Sequence, residues 1–346
     1  MIFFYFFIYF IVLDVEIIPL FIMSTLSILT WNILAPSLQN QNYNVSWDDR
    51  REKIVSYINN FVFRKTSRER TDLLLSFDLI VFNEIDDIYK IDKYNFKDQT
   101  AFVFKRELDY WESFFSSQYN IIHATKPYGI GNGNIKHGPM ILLNRQRFQI
   151  YFIDTIHLDV NRDQNQIAVF IRARLDNRLN LIICALHLAS GVKQDIAETR
   201  QLQIDKVLEE LQKYDDGFEK IIIGDFNDPK IVNLKNKFNE YRFYNFCQKE
   251  KCNIEQRIDS GDKITSASFE PDKYKYYSPC FTTIADNNSV RSANAKDIKS
   301  PIDHIFINSR AFTFKGCLLY KTQSEGDEFA QLNLSDHFPF STIFNF

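Results

Sequence analysis

Apolar and polar positions along the chain alternate between two periods. Short β-branched and aliphatic runs recur: SILTWNIL (27–34), FDLIVFNEI (77–85), PMILLN (139–144), IAVFIRARL (167–175), NLIICALHL (180–188), KIIIGDFN (220–227), IDHIFIN (302–308) and FPFSTIF (338–344). Runs of this length and composition are strands. Between them, residues 48–63 carry Ile54, Ile58 and Val62 at helical spacing, and residues 193–214 carry Ile196, Leu202 and Leu208. Both segments predict amphipathic helices that pack on a sheet. Many strands, intervening helices and no Pro/Gly/Ser-rich linker point to an α/β sandwich in a single domain. No internal repeat or heptad pattern is present. Residues 128–137, with three glycines, and 272–300, with mixed polar and aromatic residues, read as loops near a functional rim.

Composition narrows the classes. The chain has 346 residues, 45% of them apolar, which is ample for a buried core. Its formal net charge of −3 argues against a protein that coats long nucleic acid through bulk positive charge, but is compatible with a locally recognised, metal-bridged substrate. The five cysteines, Cys184, Cys247, Cys252, Cys280 and Cys317, are odd in number and lack zinc-ligand spacing. They read as reduced thiols of an intracellular protein, expected in the cytoplasm or the nucleus.

The apolar run MIFFYFFIYFIVL stops at Asp14. It is short for a bilayer span, no Lys or Arg precedes it, and it lacks a clear cleavage site. Met23 then opens MSTLSILTWN, a natural start for a folded domain. Residues 1–22 are therefore expected to be an extension outside the fold, with residues 23–346 forming one domain. If expressed and retained, the extension would instead make the chain secretory or membrane-associated. N-x-S/T matches at Asn44, Asn287 and Asn333 are commonplace in an Asn-rich chain and do not establish secretion.

The candidate chemistry sits at strand ends. SILTW is followed by Asn32, DLIVF by Asn83 and Glu84, IICAL by His187, and KIIIG by Asp225 and Asn227; Pro301-Ile302 is followed by Asp303 and His304, and the last strand is preceded by Asp336 and His337. Polar groups at the ends of adjacent strands converge in space. Singly, each has an ordinary explanation, since a histidine in an apolar strand is commonly a hydrogen-bonded core residue and an Asp before a strand a turn or cap. The argument rests on all six occurring together in this order.

Trp31-Asn32, Asn83-Glu84-Ile85, Leu186-His187-Leu188-Ala189-Ser190, Gly224-Asp225-Phe226-Asn227, Ile302-Asp303-His304-Ile305-Phe306 and Ser335-Asp336-His337-Phe338-Pro339 together resemble the ordered motifs of the endonuclease/exonuclease/phosphatase superfamily. TWNILAPS, Trp47, the segment from Arg50 to Ile54, Phe281-Thr282-Thr283 and QLNLSDHFP resemble its branch of carbon catabolite repressor-type deadenylases, nocturnin, angel-like proteins and 2′-phosphodiesterase. Phe82-Asn83-Glu84 departs from the family's Leu-Gln-Glu by one methylene in the supporting amide.

The resemblance implies a two-sheet α/β sandwich with flanking helices and the site at one end. It also implies a Mg²⁺-dependent phosphodiesterase, with Mn²⁺ as the alternative ion. Mg²⁺ is a hard ion suited to oxygen ligands, which makes Glu84 the first ligand candidate, with Asn32 and Asp336 beside it. By resemblance Asp225 orients or deprotonates the attacking water, and Asp303 partners His337. Asn227, His187 and His337 are donors to the phosphoryl group. His304 stays outside the implied site.

The implied substrate is RNA, cleaved 3′ to 5′, poly(A) included. The alternatives are a phosphatase or phosphodiesterase acting on a phosphoinositide, sphingolipid or nucleotide, and, more remotely, an inactive binding module. No protein-docking module such as leucine-rich repeats is visible. Arg145, Arg147, Arg172, Arg174 and Arg178 are expected to solvate the exposed side of strands rather than to face phosphates. Tyr128, His137 and Phe281, in the two loops, could stack on a base or simply pack. The charge-rich segment 64–70 reads as a solvated helix end or loop.

Overall fold

The computed structural model describes residues 24–33, 47–58, 77–96, 99–126, 136–160, 166–191, 193–214, 217–228, 244–245, 303–308, 311–319 and 340–346. In chain order the strands are β1 (Thr25–Asn32), β2 (Leu79–Asp86), β3 (Ile88–Phe96), β4 (Gln99–Arg106), β5 (Tyr119–His123), β6 (His137–Asn144), β7 (Phe148–His157), β8 (Ile167–Leu175), β9 (Leu179–His187), β10 (Glu219–Asp225), β11 (Tyr244–Asn245), β12 (Asp303–Asn308), β13 (Thr313–Leu319) and β14 (Phe340–Asn345). The helices are α1 (Trp47–Tyr57), α2 (Glu107–Phe115) and α3 (Gln194–Gln212).

Two six-stranded sheets, ordered β13-β14-β1-β2-β6-β5 and β11-β12-β10-β9-β8-β7, face each other, and β3-β4 forms a separate ribbon. Both sheets are mixed. β1 runs parallel to β2 and antiparallel to β14, and β10 runs parallel to β9 and antiparallel to β12. This is the expected α/β sandwich.

Strand alternation explains the layering. In the second sheet, Val169, Ile171, Leu181, Ile183, Ile221, Ile223, Ile305 and Ile307 join the core that also holds the first sheet. The intervening Phe170, Ile182, Cys184, Ile222 and Phe306 lie in a second core under α3, with Ile204, Val207, Leu208 and Leu211. Strands buried on both faces read as continuous apolar runs, which is why β8, β9 and β10 are conspicuous in the sequence. On the other side, Ile54 and Val55 of α1 and Trp111 and Phe115 of α2 pack into the main core.

The differences from expectation have physical causes. Of the positions expected to pack from α3, Leu208 is buried, whereas Leu202 is 47% exposed and Ile196 only partly buried; the packing stripe is the Ile204, Val207, Leu208 and Leu211 face. The strands β3, β4, β5, β7, β11 and β13 and the helix α2 are additional to the elements that the apolar runs predict. The edge strand β7 leaves Tyr151, Phe152 and Ile153 exposed, so apolar alternation does not mark it. Residues 128–137 are not wholly loop, because His137 begins β6 in register with Asp86. Residues 1–22, 64–70, 272–300, Val62, Tyr128, Phe281, Asp336 and His337 lie outside the described residues.

The arginines expected on solvated strand faces divide. Arg174 and Arg178 are exposed. Arg147 is instead a clasp: Nη1 lies 2.7 Å from Asp78 and donates to the Thr25 carbonyl at 2.6 Å, while Nε donates to Asp176 at 3.0 Å. It ties the starts of β1 and β2 to the β8–β9 turn. Arg145 Nε donates to the Tyr119 carbonyl at 2.8 Å, and Arg172 lies over the Phe152 ring at 4.3 Å.

Candidate active site

β1, β2, β9 and β10 present their C-terminal ends at one end of the sandwich, opposite the Arg147 clasp. Parity decides which side chains meet there. His187 continues the inward series Leu181, Ile183, Ala185, and Asp225 the series Ile221, Ile223. His187 and Asp225 are register partners, as are Asp225 and Asp303. All three are buried.

Glu84 arrives by a different route. Ile28, Thr30 and Asn32 of β1 pair in register with Leu79, Val81 and Asn83 of β2, so a regular strand would send Glu84 to the opposite face. That is the face of Phe82, which packs against Trp111 and Phe115. The register with β6 jumps from Phe82↔Met140 to Ile85↔Gly138, so Asn83 and Glu84 together oppose Pro139. Proline has no N–H to contribute to a ladder, which suits a bulge. Glu84 takes φ 62°, a left-handed conformation that is strained for this residue type. The bulge turns its carboxylate toward Asn32.

The resulting cluster is tight. Asn32 Nδ2 donates to Glu84 Oε1 and to Asp225 Oδ2, each at 2.9 Å. His187 Nε2 lies 3.7 Å from Glu84 Oε1 and 3.8 Å from Asp225 Oδ2. One donor atom each from Glu84, His187 and Asp225 lie within 4.8 Å of one another, and all three residues are buried. The two carboxylates are hard oxygen donors of the kind a divalent cation takes, so these residues fit a metal ion. The grouping brings Asp225 into ligand reach beside Glu84, a position that the resemblance gives to Asp336. The imidazole nitrogen of His187 is a poorer ligand for Mg²⁺ than an oxygen and suits phosphoryl contact better.

Asn227 lies beyond the end of β10, so strand alternation does not place it. Its backbone is left-handed (φ 50°), its N–H donates to Asp225 Oδ1 at 2.8 Å, and its Nδ2 donates to the Leu188 carbonyl at 3.0 Å. This Asx turn fixes Asp225 and joins the loops after β9 and β10. Arg200 and Gln203 of α3 fasten the same loop: Arg200 Nη1 donates to the carbonyls of Ala189 (3.1 Å) and Gly191 (2.9 Å), and Gln203 Oε1 accepts the Ala189 N–H at 3.0 Å. His304 is buried, edge-on to Phe226 with ring centroids 5.4 Å apart, which is packing.

Sequence reasoning misses Lys126 and leaves His137 open between stacking on a base and packing; the structure joins the two at the rim. Lys126 and His137, 5% and 4% exposed, join Nζ to Nε2 at 2.7 Å. Burial lowers the lysine to about 8 against the opposing pull of Glu84 and Asp225, and burial followed by the Lys126 charge lowers His137 to about 3. Lys126 lies in a polar stretch with no pattern, and His137 follows a glycine-rich segment that gives no sign of a buried polar group.

A sequence-family comparison matches residues 29–337 to the Endonuclease/Exonuclease/phosphatase family. No curated protein matches. Among solved structures, the human nocturnin catalytic domain with bound sulfate is 15% identical, with a TM-score of 0.57 over 92% of this chain and 94% of that one. ANGEL2, a 2′,3′-cyclic phosphatase, in complex with adenosine-2′,3′-vanadate, is 14% identical, with a TM-score of 0.58 over 93% and 96%. D. rerio TDP2 with a single-strand DNA product is 16% identical, with a TM-score of 0.55 over 93% and 100%. At these identities the three structures share the fold.

Proposed function

The chain belongs to the endonuclease/exonuclease/phosphatase family and is a metal-dependent phosphoric ester hydrolase, and from that premise we propose that it is a Mg²⁺-dependent ribonuclease removing nucleotides 3′ to 5′, poly(A) included. The observation that carries this reading is the buried Glu84–His187–Asp225 cluster bridged by Asn32. The ligands of two structural relatives, a single-strand DNA product and an adenosine-2′,3′-vanadate, support a polynucleotide or its end as substrate.

Glu84 would hold the cation, with Asn32, Asp225 and Asp336 at its side. A bound divalent ion neutralises phosphate charge and stabilises the negative charge that builds on the leaving oxygen. The residues then divide the remaining work. Asp225 has one oxygen on the Asn227 N–H and the other on the Asn32 amide, which fixes the carboxylate plane and leaves lone pairs for an attacking water. His187 Nε2, between two carboxylates, is placed to donate to a phosphoryl oxygen held there. Asn227 retains a second amide hydrogen for the same purpose, while His337 would donate to the phosphoryl group with Asp303 as its orienting partner. The domain itself spans residues 23–346.

The test is hydrolysis of a panel with Mg²⁺, with Mn²⁺ and with EDTA: poly(A), mixed-sequence RNA, RNA ending in a 2′,3′-cyclic phosphate, 2′-5′ oligoadenylate, single-stranded DNA and an inositol phosphate. Metal-dependent shortening of RNA from the 3′ end, lost in Asp225→Asn, is the expected result. Cleavage of the inositol phosphate or the cyclic end with long RNA untouched would overturn the exonuclease reading.

A further inference from the structure

Lys126 is a buried cation whose nearest partner is uncharged. Its N–H donates to the His137 carbonyl at 2.9 Å, extending the β5–β6 ladder, so the two residues are held together by backbone as well as by the 2.7 Å side-chain contact. An ammonium has three donors and no acceptor, so His137 Nε2 accepts and the ring carries its proton on Nδ1. Glu84 and Asp225 are close enough to act electrostatically on the lysine. Among the described residues, however, Lys126 forms no ion pair, and His137 is its hydrogen-bond partner. A buried charge is costly unless it meets an opposite charge. Here the backbone and a neutral ring hold the ammonium within electrostatic reach of the two carboxylates, with no ion pair to either among the described residues. That arrangement leaves two N–H donors on the rim of a site whose substrate is an anion.

We propose that Lys126 contacts a non-bridging phosphoryl oxygen of the substrate, and that His137 is the positioning residue that aims it. The assignment deepens the phosphoester reading and rests on it. An ammonium held by one fixed acceptor loses less freedom on binding phosphate than a free lysine, and its hydrogen bond to the anion is charge-assisted. His137 does not touch substrate. Its place is set by the Pro139 bulge, since β6 begins at His137 and meets β2 at Asp86, two residues beyond Glu84. One bulge therefore positions both the metal-binding carboxylate and the acceptor of the lysine.

The test uses the whole protein and inorganic phosphate as the probe. Calorimetric phosphate binding with Mg²⁺ present is compared for wild type, Lys126→Met, His137→Leu and His137→Gln, whose amide oxygen replaces the Nε2 acceptor. We expect Lys126→Met to weaken phosphate on the order of tenfold, His137→Leu to weaken it several-fold, and His137→Gln to restore it. On a cleaved ester, both weakening variants should raise KM more than they lower kcat. Unchanged phosphate affinity in Lys126→Met would overturn the contact. His137→Gln binding as weakly as His137→Leu would overturn the acceptor role, with circular dichroism establishing that both are folded. If the phosphate affinities differ as expected but RNA is not cleaved, the ribonuclease reading falls and the lysine assignment stands. If RNA is cleaved and the phosphate affinities are all alike, the lysine assignment falls and the ribonuclease reading stands.

Discussion

Glu84 combines charge, burial and a left-handed backbone in one residue, and each has a measurable effect. Its carboxylate shares the Asn32 amide with Asp225, so two negative groups are held close together. Glu84→Gln should lower kcat on the order of 10³-fold, because it removes an interaction with the metal and the transition state. Thermal unfolding without metal should be unchanged or higher in that variant, since like-charge repulsion is relieved. Adding Mg²⁺ should raise Tm in wild type and not in Glu84→Gln, because the ion binds only the folded site. A normal Mg²⁺ response in the variant would remove Glu84 from the ligand set.

His137 makes a pH prediction at the same scale. Its folded pKa is lowered from 6.5 to about 3, so the stability it contributes is present above pH 6.5 and is lost as pH falls toward 3. One proton of linkage is worth about 2 kcal/mol between pH 6.5 and 4.5. Urea denaturation at those two pH values should show His137→Gln losing about that much less stability than wild type. An identical acid loss in both proteins would refute the assignment.

At the scale of the element, loops and bulges rather than strand centres control the site. Gly224 has φ 141°, and a Cβ there would meet the Leu186 carbonyl of β9. The close approach brings Asp225 level with His187. Gly224→Ala should therefore cost about 2–4 kcal/mol by chemical denaturation, from strain and overpacking together, and should also abolish activity. Stability close to wild type would mean that the strand ends rearrange freely. Gly138 is under the same constraint against the Ala124 carbonyl, beside the Glu84 bulge.

Considered as a whole, the sandwich separates stability from chemistry between opposite ends of its strands. The Arg147 clasp joins β1, β2 and the β8–β9 turn at the end remote from Glu84, and burial raises the Asp78 pKa against the pull of the arginine. Arg147→Ala leaves that carboxylate buried without its cation, and should cost about 3–5 kcal/mol while kcat at low temperature stays within a factor of two. A large fall in kcat would show that the two ends are coupled.

The sequence by itself determined the α/β class, eight of the strands, the helices within residues 48–63 and 193–214, and the strand-end polar residues Asn32, Glu84, His187 and Asp225 that the structure brings together, because strands buried on both faces are long apolar runs and polar residues at their ends stand out. It could not indicate the edge strand β7 or the ribbon β3–β4, whose sequences carry neither a long apolar run nor a strict apolar–polar alternation. Only the tertiary structure decided that Glu84 reaches the inner face, since strand parity alone points it outward and the correction comes from a register shift against Pro139 on another strand. The same holds for Lys126 and His137: their pairing spans the ends of β5 and β6, and a buried cation is recognised by its surroundings, which local sequence does not carry.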